Sequence, residues 1–183
     1  DRASGKILLC CAEPRSDVEI KYLPLPGAKA LPVKQYTARV VGLDLLTSDV
    51  MRVCLRVEGG VPILFHPGQY INVLLDDGAR RSFSFATAPR VSDEIELHVR
   101  LVEGGRFTPG VFSKMQVGDR LRFEGPMGAF TLREDSTKPI IFVAGATGFA
   151  PVKSMLEHAF QSGSKRDMIL YWGVRSLRDL YLG

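Results

Sequence analysis

Apolar and polar residues alternate most cleanly between Glu94 and Leu101. There Ile95, Leu97, Val99 and Leu101 fall on one side, and Glu94, Glu96, His98 and Arg100 on the other. A period of two marks a strand with one buried and one polar face. Shorter runs rich in Val, Leu, Ile and aromatic residues occupy Gln35 to Leu43, Val50 to Val57, Gln69 to Leu75 and Arg81 to Ala86. Turn clusters such as Glu58-Gly59-Gly60 and Asp76-Asp77-Gly78 separate them. Leu121 and Phe123 resume the pattern after Val117-Gly118-Asp119. With no helical period of useful length between these strands, residues 34–134 predict an antiparallel barrel or sandwich. One brief helix is expected inside it. Thr108 is its hydroxyl N-cap and Pro109 its first helical residue, and the helix runs to about Met115.

Beyond Pro139 the period changes. Ile140 to Ala144 is a continuous apolar run of the kind buried on both faces of a parallel sheet, and it leads into glycines. Val152, Met155, Leu156, Ala159 and Phe160 then recur at helical spacing, with Gly163 placed to end the helix. Met168 to Trp172 reads as a second buried strand, which makes 139–172 one βαβ unit. A second helical pattern starts at Leu177 to Leu182. A doubly wound nucleotide domain needs about five parallel strands, so residues 138–183 are expected to be the incomplete first part of one. Ile169 and Tyr171 are then expected on an exposed edge. Ahead of the barrel, residues 21–33 carry three prolines and one glycine without a period and read as a linker.

Composition narrows the function classes. The chain has 183 residues, 45% of them hydrophobic, which is enough to bury a core. Its formal charge of +4, from 24 basic and 20 acidic residues, is too mild and interspersed for a nucleic-acid binder, although an acidic protein partner would suit it. No stretch approaches the roughly 18 apolar residues of a membrane span and no signal-like segment opens the chain, so a cytoplasmic location is expected. Three cysteines, two of them adjacent, give neither a disulfide framework nor the paired spacing of a zinc site.

The candidate chemistry centres on Arg80-Arg81-Ser82-Phe83-Ser84-Phe85-Ala86-Thr87-Ala88. Arg81 can form charge-assisted, bidentate bonds to a phosphate, and Phe83 offers a π-face. The Ser84 hydroxyl and nearby backbone can reach ring heteroatoms. A strand with alternating side chains and a surface arginine explains the same residues without a ligand. After Gly104-Gly105-Arg106-Phe107-Thr108, the free N–H groups of the short helix would suit a pyrophosphate, which glycine lets approach the backbone closely. A tight turn into a surface helix accounts for that segment equally well.

These stretches stand in order with Phe65-His66-Pro67-Gly68-Gln69-Tyr70, Gly125-Pro126-Met127-Gly128-Ala129-Phe130 and Gly145-Ala146-Thr147-Gly148-Phe149-Ala150-Pro151. Together they resemble the ferredoxin reductase-like flavoproteins, and within them the bacterial iron-sulfur flavoprotein reductases of oxygenases and the CDP-6-deoxy-3,4-glucoseen reductases. The resemblance implies a six-stranded Greek-key barrel that binds FAD, followed by a nicotinamide-nucleotide domain. It implies that Arg81 clamps phosphate, that Phe83 stacks on the flavin where relatives commonly carry Tyr, and that Ser84 bonds near N5. Phe83 and Ser84 would then be the residues closest to the chemistry. Phe85 belongs to the same cofactor-binding segment. His98, Val99 and Arg100 would follow the ribityl and phosphate portion, unless His98 and Arg100 simply form a solvated strand face. Gly104, Gly105, Arg106, Phe107 and Thr108 would hold the pyrophosphate. Gly145, Thr147, Gly148 and Pro151 match the family's Gly-x-Thr-Gly-x-x-Pro nicotinamide turn, which is not the general G-x-G-x-x-G fingerprint.

Residues 5–20 resemble the end of a plant-type ferredoxin domain, with Cys10 in place of its fourth cluster ligand. A 2Fe-2S cluster needs four thiolates, so this chain is expected to bind no metal and to be a piece of a longer protein. The implied whole would pass electrons from NADH or NADPH through FAD to the cluster, and on to an oxygenase or dehydratase partner. Neither Arg175 nor Arg178 distinguishes the two nucleotides. A flavin-binding electron-transfer or sensor module without dinucleotide turnover, and a barrel that never holds flavin, remain the alternatives.

Overall fold

A computed structural model of the chain describes residues 13–19, 31–89 and 93–182. Cys10 and Cys11 lie outside the described residues, as does most of the expected linker. Six strands build the larger lobe: β1 (Lys34–Thr47), β2 (Val50–Val57), β3 (Tyr70–Leu74), β4 (Arg80–Ser84), β5 (Glu94–Arg100) and β6 (Arg120–Met127). Their order across the sheet is β4-β3-β6-β1-β2-β5, with every pairing antiparallel. The two outer strands meet at a single bridge between Phe85 and Leu97, which closes the sheet into a Greek-key barrel. Alternating inward residues fill it, among them Val40, Leu55, Ile71, Val73, Phe85, Leu97 and Phe123. Burial of this set is the main term holding the barrel together.

The smaller lobe is one βαβ unit: β7 (Ile140–Gly145), α2 (Phe149–Gln161) and β8 (Met168–Gly173), with the two strands parallel. The short helix α1 (Thr108–Ser113) belongs to the barrel. Val152, Met155 and Ala159 of α2 are buried, and Gly163 adopts φ +70° just past the helix end, as its position predicted. No helix among the described residues is long and apolar enough to cross a membrane.

Three expectations require correction. Phe142 and Ala144 are buried beneath α2, but Ile141 and Val143 are 64% and 76% exposed, and most of β8 is exposed too. An apolar run predicts two-sided burial only where elements cover both faces, and here α2 covers one. The pattern from Leu177 forms a single 3₁₀ turn, Leu177–Asp179, closed by a Ser176–Asp179 capping box, with Leu180 already extended. Thr108 does not cap α1. Its hydroxyl instead accepts from Val102 N–H (2.9 Å) and donates to Val102 C=O (3.3 Å), so it closes the loop before the helix, and α1 ends at Ser113.

One close approach helps fix how the lobes meet. Gly68 has φ +101°, and a Cβ there would stand 2.2 Å from both Met155 Cε of α2 and the Phe130 carbonyl, so only glycine fits. Beside it, the buried Gln69 donates to the Gly128 carbonyl (3.0 Å) and accepts from His66 N–H (2.8 Å), pinning two loops together. The exposed Phe130 lies on this rim.

Candidate functional site

β4 and β5 form the barrel's incomplete seam. Among the described residues their strand pairing stops at the Phe85–Leu97 bridge, reinforced by Ala86 N–H donating to Glu96 C=O (2.8 Å). From there toward Arg81 on β4 and Arg100 on β5, two strand edges face each other without a ladder between them. Backbone polar groups on such edges are available to a ligand.

Alternation sets what β4 offers. Arg81, Phe83 and Phe85 share its inward side, while Ser82 and Ser84 lie on the other beside Asn72 and Tyr70. Phe85 is fully buried and stacks on Phe65 with ring centroids 3.8 Å apart, so its side chain belongs to the core and not to a ligand surface. Val99, 1% exposed, is also a core residue, and both contribute only backbone to the seam. Phe83 is half-buried with its ring 5.6 Å from that of Phe107, which brings the 102–108 loop against β4. Arg81 stands at the rim and donates to the Arg80 carbonyl (2.8 Å). Arg106 is bonded to Asp77 (2.8 Å), which feels the charge of Arg81 as well. Gly104, at φ +70°, has open space where a side chain would be, whereas Gly105 packs against Val102 and Thr108.

The polar face of β5 is solvated at Glu94 but covered in its middle, at Glu96 and His98. Arg100 bonds to Asp49 (2.8 Å). His98, whose side chain is 0% exposed, lies between Glu96 (2.8 Å from Nε2) and the Tyr181 hydroxyl (3.2 Å from Nδ1). Burial and the charges of Glu96 and Asp49 hold the Tyr181 phenol well above its ordinary range. Across the lobe boundary, Lys153 Nζ of α2 donates to the Ala86 carbonyl (2.8 Å) and pairs with Glu96 (3.3 Å) and Glu157 (2.8 Å).

Burial pushes the Glu96 carboxyl up, but the His98 bond and the Lys153 charge outweigh it and leave the group below the usual carboxylate range. A carboxyl whose pKa falls on folding stabilises the protein above its unfolded value, near 4.3. That stability is lost as the pH drops through the folded value. The gap in urea midpoint between the wild type and Glu96→Gln should therefore be wide at neutral pH and shrink below about pH 4. A gap independent of pH would contradict this assignment.

The Gly145–Pro151 turn also packs against β5. Gly145 ends β7, Ala146–Gly148 make a 3₁₀ turn with Ala146 at φ +45°, and Pro151 lies in the first turn of α2. Trp172 Nε1 donates to the Ala146 carbonyl (3.0 Å) and so holds the turn in place. A cleft of about 350 Å³ opens here, between Gly145 and Gly173 on one side and Asp49 and Arg100 on the other. It lies at the carboxyl ends of two parallel strands, where open α/β sheets bind ligands. Thr147 and Gly148 follow in the turn, and a Cβ at Gly148 would meet nothing within 4 Å.

Comparison with known proteins gives two family matches: an oxidoreductase FAD-binding domain over residues 37–132, and an oxidoreductase NAD-binding domain over residues 142–183. The chain belongs to the FAD-binding oxidoreductase family. The CDP-6-deoxy-L-threo-D-glycero-4-hexulose-3-dehydrase reductase of Yersinia pestis is 38% identical over 181 residues, 99% of this chain and 54% of that protein. Reductase component 1 of terephthalate 1,2-dioxygenase from Comamonas sp. is 41% identical over 179 residues, 98% of this chain and 53% of that one. The crystal structure of an Amycolatopsis cytochrome P450 reductase superposes with a TM-score of 0.79 at 36% identity, covering 99% of this chain and 55% of that chain. The chain thus spans about half the length of the relatives it matches.

The seam fits the cofactor of this family. A flat heteroaromatic ring needs an apolar wall and polar groups at its edges, and its pyrophosphate tail needs donors and positive charge. Phe83 with Phe107, the facing edges of β4 and β5, and Arg81 at the rim meet those needs in turn. The Thr87 hydroxyl, just past the bridge, is buried without a partner among the described residues, an unmet polar group of the kind a ligand satisfies. Sequence reasoning missed this hydroxyl and the whole Glu96–Lys153–Glu157 group. Thr87 stood inside the central motif, but nothing in sequence spacing signals that its hydroxyl is buried.

Proposed function

We propose that this chain is the flavin-binding half of an NAD(P)H-dependent reductase, with FAD lying in the β4–β5 seam. The observation that carries the reading is the seam itself: two unpaired strand edges beside a half-buried aromatic pair, with an arginine at the rim. Arg81 binds the phosphate tail, Phe83 forms the wall against the ring, and Ser84 supplies a hydroxyl near its reactive edge. Gly104 keeps the backbone open to the pyrophosphate, and Arg106, Phe107 and Thr108 complete that loop. His98 and Arg100, engaged with Glu96, Tyr181 and Asp49, shape the β5 edge through their own bonds. Gly145, Thr147, Gly148 and Pro151 leave the 145–151 turn open to a nicotinamide nucleotide. FAD held there would supply the capacity to take up a hydride from such a nucleotide and release electrons singly, and the protein's part is to position and tune it.

The division that goes with this reading places the end of a ferredoxin domain at 1–20, with Cys10 as one ligand of a 2Fe-2S cluster whose other ligands the whole protein supplies. A linker at 21–33, the FAD barrel at 34–134 and the opening of the nucleotide domain at 138–183 follow. The electron acceptor is an oxygenase or dehydratase component, as the names of the relatives suggest. The setting is the cytoplasm, which suits the free thiol of Cys54.

The test is to incubate the purified chain with FAD, remove excess by gel filtration, record the visible spectrum, and chromatograph the chromophore released on denaturation. Retained flavin absorbance that resolves as FAD supports the reading. A colourless protein contradicts it.

A further inference from the structure

The polar group buried at the lobe boundary has a cost that packing alone does not explain. The side chains of Lys153 and Glu96 are only 17% and 13% exposed, and that of His98 is fully covered. Desolvating such charges is expensive, and an apolar side chain of similar volume often serves stability as well or better. What the charges provide here is a grip on backbone. An ammonium has three donors, and those of Lys153 meet the Ala86 carbonyl, Glu96 and Glu157. On the next two residues, the Ser154 hydroxyl donates to the Thr87 carbonyl (2.6 Å) and Ala88 N–H donates to Glu157 (3.0 Å). Three consecutive residues are thus held by side chains of one helix, α2. They follow directly on the stretch carrying Phe83 and Ser84, and Ala86 N–H makes the bond that closes the seam.

We infer that Lys153 is a positioning residue for the flavin: its ammonium, held by Glu96 and Glu157, binds the Ala86 carbonyl and so fixes the chain just past β4, and it couples the docking of α2 to cofactor binding. The inference rests on the seam being the FAD site. Such coupling is reciprocal, because whatever orders the seam also strengthens the docking.

The test is a fluorescence titration of the whole chain with FAD, comparing the wild type, Lys153→Met and Lys153→Arg. Methionine keeps the length of the stem and removes the donors, while arginine keeps donors for the same acceptors. The expected result is a Kd about tenfold higher in Lys153→Met and recovered to within about threefold in Lys153→Arg. A purely structural role would lower the melting temperature but leave the Kd of the folded protein unchanged, and that outcome overturns the inference. If Lys153→Met does not fold, Glu157→Gln tests the same grip from the outer side of α2, with a Kd about three- to fivefold higher expected. An unchanged Kd there overturns it as well. Failure of the wild type to bind FAD removes both this inference and the assignment of the seam, whereas tight wild-type binding with unaltered variants removes this inference alone.

Discussion

Replacing Arg81 with alanine should weaken FAD binding by about ten- to a hundredfold. Hydrogen bonds to a charged group contribute about 1.5–3 kcal/mol, and each 1.4 kcal/mol is a factor of about ten in affinity. Arg81 is the rim member of the inward row Arg81, Phe83, Phe85, and among the described residues its guanidinium hydrogen-bonds through Nη1 to the neighbouring Arg80 carbonyl. Its other donors therefore remain for a phosphate. Arg80 is the control within the same strand: it projects to the opposite side and is bonded to Glu124 (2.7 Å). Arg80→Ala should leave FAD affinity unchanged in a calorimetric or fluorescence titration. Equal losses in the two variants would mean that a diffuse positive charge, and not a clamp, attracts the cofactor.

Phe85→Ala should act on the fold first, at a cost of about 3–5 kcal/mol of unfolding free energy. Phe85 is fully buried, stacks on Phe65, and supplies the backbone bridge that closes the barrel. Removing its ring leaves a cavity at the point where the seam begins. Phe130→Ala, at a site 62% exposed, should change stability by no more than about 0.5 kcal/mol. Urea unfolding of the two variants checks the contrast. A Phe85→Ala protein of normal stability that had lost only FAD affinity would return this side chain to the cofactor surface.

These residues also show where the sequence was legible. The alternation at Glu94–Leu101 located β5 to within a residue, because one of its faces meets only the barrel core. The same period puts Phe83 and Phe85 on one side of β4, but it does not say how deep each lies. Depth depends on the bridge to Leu97, a pairing between strands that are not neighbours in sequence. The seam escaped sequence reasoning for the same reason, since it is a gap in pairing and not a pattern of residues. On β5, period two foretold a polar face and left open whether His98 and Arg100 met solvent. The structure covers the middle of that face, at Glu96 and His98, with α2 and Tyr181, which come much later in the chain. Thr108 misled as a cap because a nearer acceptor and donor, both on Val102, satisfy its hydroxyl.

The central claim is the location of the cofactor in the seam. Amide hydrogen exchange of the chain with and without saturating FAD tests it most directly, because it reads backbone protection residue by residue. The account predicts slower exchange at residues 81–84, 99–101 and 102–108 on FAD binding, with little change on β1 and β2 away from the seam. Protection confined to the cleft at Gly145 and Gly173, with residues 81–84 and 99–108 exchanging as before, would contradict it.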